Sequence, residues 1–487
     1  MLFNSFEFAI FLPITFILYW LVFNRNLKLQ NAFIVAVSYL FYGWWDWRFL
    51  ILIAFTTFCS YTSGIFIDKA NQKSQNKKAK IISATNITIN LLILGVFKYY
   101  NFFVTSFADA FSAFGITLET TTLNIILPVG ISFYTFQALS YSIDVYRRKI
   151  EASHDIIAFF AFVSFFPQLV AGPIERATNL LPQFTQKRSF DYSTAVDGCR
   201  QILWGLFKKI VVADNCATTC NQIFATYADQ PASMLMVGAL LFTFQIYGDF
   251  SGYSDIAIGT AKLFGIKLMR NFNIPYFSRD IAEFWRRWHI SLTTWFRDYI
   301  YIPLGGSRVT KAKVVRNTLI IFLLSGLWHG ANWTFVIWGA YHALLFLPLI
   351  LLGKNRKYTH TIAEGKHIPS IKEFAMMLIT FLLVVVGWIF FRAETIGDAW
   401  HYICGLCSLN TFKASYLFFT STKNFAGIFV IVMLAVEWWQ RSKEHGLGEL
   451  HTSLKRPIFR CLLYFFLFFS ILAFQTSDSI QFLYFQF

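Results

Sequence analysis

The sequence predicts an all-α polytopic integral membrane protein, built as one membrane domain over residues 1–487. Three observations carry this. Hydrophobic residues are 56% of the chain and charged residues only 14%, whereas a typical soluble domain carries about 25% charged residues. Apolar runs of bilayer-spanning length recur from one end to the other. The basic residues gather in the gaps between those runs, which is the positive-inside pattern. That clustering also argues against the nucleic-acid partner that a net charge of +16 invites; the partner surface is the lipid bilayer.

The first run, Phe8 to Phe23, follows no basic stretch and lacks a small-residue cleavage site. It reads as a retained helix and not as a removed signal peptide. Arg25 and Lys28 place the next loop in the cytoplasm and the N-terminus outside. Runs over Ala32–Trp45 and Phe49–Ile67 follow, then the basic connector Lys69–Lys80. The runs Ile81–Phe103 and Leu123–Val145 bracket a gap from Thr105 to Asn124. That gap has Asp109 and Glu119 and no Lys or Arg, so it faces outward. Arg147, Arg148 and Lys149 return to the cytoplasm.

Ile156–Val170 is apolar and ends in Pro167-Gln168-Leu169-Val170-Ala171-Gly172-Pro173-Ile174-Glu175-Arg176. Proline on both sides of Gly172 breaks a helix. Irregular backbone with Gln168, Glu175 and Arg176 at membrane depth is tolerated only inside protein or along a wet cavity, so the segment reads as re-entrant or as an interfacial turn. Arg200–Ala213 holds Lys208 and Lys209 in an apolar stretch and suits a helix at the interface. After Leu235–Phe244 come Gly248, Asp249, Gly252 and Asp255. The two acids are six residues apart and would not share a helix face; the two glycines argue against a straight helix. A polar cavity wall fits better than a paired-carboxylate centre.

From Asp280 to Tyr301, Ile281, Phe284, Trp285, Trp288, Leu292, Trp295, Phe296 and Tyr299 recur at three- and four-residue steps. Glu283, Arg286, Thr293 and Arg297 lie opposite, with His289 on the flank. One amphipathic interfacial helix with a basic face is expected. Between Lys262 and Arg316 there are eleven basic and three acidic residues, a surface suited to anionic lipid or to a phosphate-bearing donor. The later runs are Ala340–Leu352, Phe374–Phe391, Phe425–Trp439 and Cys461–Phe474. Basic loops at Gly353–Ser370 and Arg441–Arg460 are cytoplasmic, with His360 and His367 solvated. The region up to Lys423 and the aromatic end Gln481–Phe487 lie outside. The seven cysteines, 59, 199, 216, 220, 404, 407 and 461, include two close pairs without partners at metal-site spacing. They read as small apolar fillers, and no metal site is expected.

The stretch that carries chemistry is Ser325-Gly326-Leu327-Trp328-His329-Gly330-Ala331-Asn332-Trp333. A titratable imidazole inside an apolar run is expensive and marks a functional site by default. Gly326 and Gly330 leave room beside the ring. On a continuous helix Ser325 and Trp333 stand one turn either side of His329 and Asn332 at i+3, where polar atoms could set the tautomer.

Several blocks resemble the membrane-bound O-acyltransferase family, most closely its alginate-acetylating branch. They are Ser132-Phe133-Tyr134-Thr135-Phe136-Gln137 with Asp144-Val145-Tyr146; Phe165 to Ile174; Asp249 to Asp255; Asn271-Phe272 through Pro303-Leu304-Gly305-Gly306; Leu327-Trp328-His329-Gly330; and Tyr484-Phe485-Gln486-Phe487. The resemblance implies a ring of transmembrane helices around a central funnel. It implies acyl transfer from a cytoplasmic thioester donor, with acetyl-CoA as donor and no bound cofactor. It also implies a polysaccharide acceptor, an extracytoplasmic partner of the SGNH-hydrolase type, and residence in the cytoplasmic (inner) membrane. The family histidine maps onto His329 and the second family position onto His289. His329 is then the general base, Ser325 and Asn332 orient it or help bind the oxyanion, and His289 positions the donor. Trp328, Arg286, Arg287, Arg297, Asp249 and Gln168 complete the candidate set as donor-binding or orienting groups. The alternatives are D-alanyl transfer to teichoic acid, a transporter with His329 as proton relay, and a scaffold without activity.

Overall fold

The computed structural model describes residues 1–170, 172–408, 426–475 and 482–483. Among them every regular element is helical. The expected outer region up to Lys423, the Tyr484–Phe487 block and most of the external C-terminus lie wholly or largely outside the described residues, as does Ala171. Six described helical segments are long and apolar enough to cross a membrane: Phe6–Arg25, Phe49–Gln72, Asn76–Ser112, Ala232–Leu263, Trp333–Leu351 and Ile371–Arg392. The chain is a multi-pass membrane protein. Its described residues cluster into two compact units, one of Met1–Ala195 with Thr260–Met269, the other of Val196–Gly259 with Arg270–Phe487.

In the first unit α1 (Phe6–Ile17) starts where Ser5 Oγ accepts from the Phe8 amide. α2 (Leu27–Gly43) starts where Asn26 Oδ1 accepts from Lys28 at 2.8 Å. Each cap satisfies an amide that the helix itself cannot. α3 (Phe49–Gln72), α4 (Asn76–Leu94) and α5 (Tyr100–Ser112) follow. The run expected over Leu123–Val145 becomes helical only at Ile131: α6 (Ile131–Tyr146) is buried along almost its whole length, so it is an internal helix and not a lipid-facing one. The Pro-Gly segment is broken as expected. α7 (Ile156–Ser164) stops at Phe165, a single turn, α8 (Phe166–Leu169), follows, and α9 (Ala177–Thr185) resumes after Arg176. Residues 165–170 and 172–175 are all buried, which answers how irregular backbone is tolerated there. Glu175 accepts from the Met269 amide and from Asn179 Nδ2.

In the second unit α10 (Tyr192–Leu206, entering at Val196) leads into a π-helical stretch, Phe207–Ala213, then α11 (Asp214–Ala225) and α12 (Ala232–Leu263). Two expectations are corrected here. Lys208 and Lys209 do not lie at an interface; both are buried, Lys208 Nζ 2.6 Å from Asp255 and Lys209 Nζ 2.7 Å from both Asp249 and Asp214. α12 runs unbroken through Gly248 and Gly252. Those glycines serve close approach instead: a Cβ on Gly252 would stand 2.8 Å from the Gly205 carbonyl oxygen, and one on Gly248 2.9 Å from that of Lys208.

The amphipathic segment is also corrected. It is two short helices, α13 (Ile281–Arg287) and α14 (Ile290–Phe296), broken at His289, and most of both is buried. Glu283 is the cause of the burial of its arginines: its carboxylate takes Arg279 at 3.0 Å and Arg287 at 2.9 Å. α15 (Lys311–His329) and α16 (Trp333–Leu351) form a hairpin packed through Gly326 and Gly339. A Cβ on either would overlap a backbone carbonyl of the other helix, Phe335 and Phe322 respectively. α17 (Ile371–Arg392) opens with a Ser370–Glu373 capping box. α18 (Ile396–Leu406), α19 (Ala426–Trp439) and α20 (Pro457–Ala473) complete the unit.

Candidate active site

α15 ends at His329 because Gly330, Ala331 and Asn332 leave the helix and Asn332 caps the next, its Oδ1 accepting from Thr334 at 3.0 Å. The helix therefore does not continue to Trp333. Asn332 instead donates to the Glu394 carbonyl at 2.9 Å and Trp333 is half exposed, so neither flanks the imidazole as a continuous helix would place it. Ser325, one turn before His329, is buried with it. The His329 ring is enclosed by aromatics: Trp328 at 4.9 Å between centroids, Trp338 at 5.1 Å and Phe391 at 5.4 Å.

His289 reaches the same place from another direction. It sits at the α13–α14 break with φ of +43°, a left-handed conformation that is uncommon for a non-glycine residue. Its ring is buried and packs edge-on to Phe250 of α12 at 4.6 Å, near Phe272, and 5.7 Å from Trp328. The two imidazoles stand 6.2 Å apart, centroid to centroid. Burial pushes the His289 conjugate acid down to about 3, so the ring is neutral at physiological pH.

The other candidates separate. Trp328 lies between the two histidines. Arg287 is held by Glu283, Arg286 donates to the carbonyls of Asn355 and Tyr358, and Arg297 pairs with its neighbour Asp298 at 2.6 Å. Asp249 is bound to Lys209 and accepts from the Leu483 amide at 2.8 Å. Gln168 belongs to the first unit, where its Nε2 donates to the Phe162 carbonyl at 2.8 Å. Sequence reasoning missed Trp338, Phe391 and Asn271 as neighbours of the pair, since none is adjacent to either histidine in the chain. A second buried histidine of the hairpin, His342, packs against Trp285 and Trp338. Cys216 and Cys220 are buried one turn apart on α11.

Residues 147–374, which hold both histidines, match the family model of MBOAT, the membrane-bound O-acyltransferase family. The chain is 41% identical over 418 residues to the probable alginate O-acetylase AlgI of Pseudomonas aeruginosa, covering 86% of this chain and 77% of that protein.

The chain belongs to the membrane-bound O-acyltransferase family.

This O-acyltransferase is also 35% identical to the peptidoglycan O-acetyltransferase of Helicobacter pylori, over 86% of the chain and 82% of that protein. It is 28% identical to the teichoic acid D-alanyltransferase of Bacillus subtilis, over 56% of the chain and 70% of that protein. An acyltransferase needs a base to take the hydroxyl proton and a dry, positioned reaction centre. Two imidazoles 6.2 Å apart stand here, the His329 ring enclosed by Trp328, Trp338 and Phe391.

Proposed function

We propose that this O-acyltransferase moves an acetyl group from a cytoplasmic thioester, acetyl-CoA, across the membrane to an extracytoplasmic hydroxyl, for O-acetylation of an exported or cell-surface polysaccharide. In this reading the hydroxyl oxygen bonds to the thioester carbonyl carbon and the carbon–sulfur bond breaks. His329 takes the hydroxyl proton and returns it to the leaving thiolate. His289 holds the donor beside it. The chemistry needs no bound cofactor. The reading rests above all on the juxtaposition of the two histidines, buried 6.2 Å apart. Support comes from the relatives named for alginate and peptidoglycan O-acetylation. The position of His329 also supports it: the ring stands at the end of the α15–α16 hairpin remote from Lys311, Lys313, Arg316 and Lys354. By the positive-inside rule that is the extracytoplasmic end, in reach of an external acceptor. An SGNH-hydrolase-type protein outside the cytoplasmic membrane would complete the delivery.

The test is the acetyl-ester content of exported polysaccharide in cells carrying wild type, His329→Ala or His289→Ala at matched membrane levels. Removing a general base costs about 10²–10⁴-fold, so esters should fall to background for His329→Ala. Persisting esters would overturn the assignment. Loss of D-alanyl esters in place of acetyl esters would turn the donor reading toward that of the D-alanyltransferase relative.

A further inference from the structure

Asn271 is buried and its side chain is the hub of the turn that carries His289. Its Oδ1 receives the Ser291 amide at 3.3 Å and the Ser291 hydroxyl at 2.9 Å. An amide nitrogen can only donate, so the atom facing this turn is the oxygen of Asn271 and not its NH₂. The same oxygen stands 3.1 Å from His289 Nδ1. The Ser291 hydroxyl is also 3.4 Å from Nδ1, but its hydrogen goes to the nearer Asn271 oxygen. Two acceptors at 3.1 Å would repel, so Nδ1 carries the hydrogen and the lone pair is left on Nε2, across the ring from Asn271. The NH₂ group donates to Ser254 Oγ of α12 at 3.1 Å, and the Asn271 carbonyl takes the Ile290 amide at 2.9 Å. Both ends of the residue thus clamp the left-handed His289 against α12.

We propose that Asn271 is a positioning residue for the acyl transfer: it fixes the His289 tautomer so that Nε2 is presented to the acyl donor as a hydrogen-bond acceptor. The assignment rests on the proposed role of His289. Among the described residues, His329 of α15 is a titratable group in ring contact with His289. On the other side Asn271 lines a cavity with Lys208, Arg270, Asp255, Glu437, Lys443, Glu444 and His445. There Lys208 is paired with Asp255, Lys443 with Glu449, Glu437 with the Tyr247 hydroxyl, and His445 with Asp197. In Asn271→Asp the carboxylate keeps the shape, Ser254 turns its hydroxyl to donate, and Arg270 favours ionisation. A carboxylate on Nδ1–H stabilises imidazolium and raises its pKa by about 1–3 units. His289 protonation then moves from about 3 into the range of about pH 4–6, and protonation removes the acceptor.

The experiment follows labelled acetyl transfer from acetyl-CoA in everted membrane vesicles between pH 5 and 8. Asn271→Asp should lose activity at the acid end, relative to pH 8, by tenfold or more beyond whatever acid loss wild type shows. Asn271→Leu should raise KM for acetyl-CoA about tenfold or more at every pH and lower kcat as well, because the donor is both held less tightly and misplaced. Ring-¹⁵N spectra of His-labelled protein, assigned by difference from His289→Gln, report the tautomer and pKa directly even if a variant is inactive. A folded Asn271→Asp protein with an unmoved His289 titration overturns the proposal. If His289→Gln itself keeps full activity, the failure belongs to the proposed role of His289 and not to Asn271, whose hold on the tautomer the spectra still report.

Discussion

At the scale of single residues, this membrane protein puts polar groups where they cost most and neutralises them locally. Lys209 between Asp249 and Asp214, and Glu283 between Arg279 and Arg287, are buried charges that are all paired. Glu175 is different. Its carboxylate takes the Met269 amide and Asn179 Nδ2, and burial, outweighing these bonds and the charge of Arg176, pushes its carboxyl from 4.5 up to about 7. The folded state therefore keeps this proton where the unfolded state has lost it. The contribution to stability is full below about pH 4.5, falls as pH rises, and is gone above about 7, by up to about 3 kcal/mol. Thermal unfolding in detergent should show a Tm that declines between pH 5 and 7.5, and Glu175→Gln should flatten that part of the curve. An unchanged slope in the variant would show that Glu175 is not the group responsible. His329 was legible at this scale because an imidazole inside an apolar run stands out. Asn271 was visible only as part of a motif, because its role is a set of hydrogen bonds to residues 17 to 20 positions away.

At the scale of elements, the site depends on one hairpin and one broken helix. The α15–α16 pair can approach only because Gly326 and Gly339 face backbone carbonyls. Small residues are what let membrane helices come so close. Gly339→Ala has to push the helices apart, at about 1–3 kcal/mol, and shifts Trp338 against His329. We expect a lower Tm and at least about tenfold less acetyl transfer, since small misplacements of a catalytic group are costly. Wild-type values of both would contradict the packing argument. The apolar period over Asp280–Tyr301 was a true signal read onto the wrong surface. Its aromatic face suits an interface, but Trp285, Trp288 and Trp295 bury against protein, and the expected free basic face is consumed by Glu283, carbonyls and Asp298. Charge counts could not show this, because each arginine looks available until its partner folds onto it.

At the scale of the whole molecule, orientation follows from the basic loops. Topology reporters fused after residue 74, in the basic connector, should report the cytoplasm, and those after residue 117 the exterior. Reporters fused after residues 331 and 365, at the two ends of α16, should report exterior and cytoplasm respectively. A cytoplasmic signal at 331 would place His329 on the donor side and remove its access to an external acceptor.

The sequence by itself determined the membrane class, most of the spanning helices and the family, and it singled out the two histidines as candidates. Those properties are written in composition, run length and local motifs, which act over one or two helical turns. The tertiary structure alone decided which charges are free, which apolar runs face protein and not lipid, and that His289 and His329 meet. Each of these depends on contacts between segments tens of residues apart. Burial there is set by what packs on the other side, and no local period or count records that.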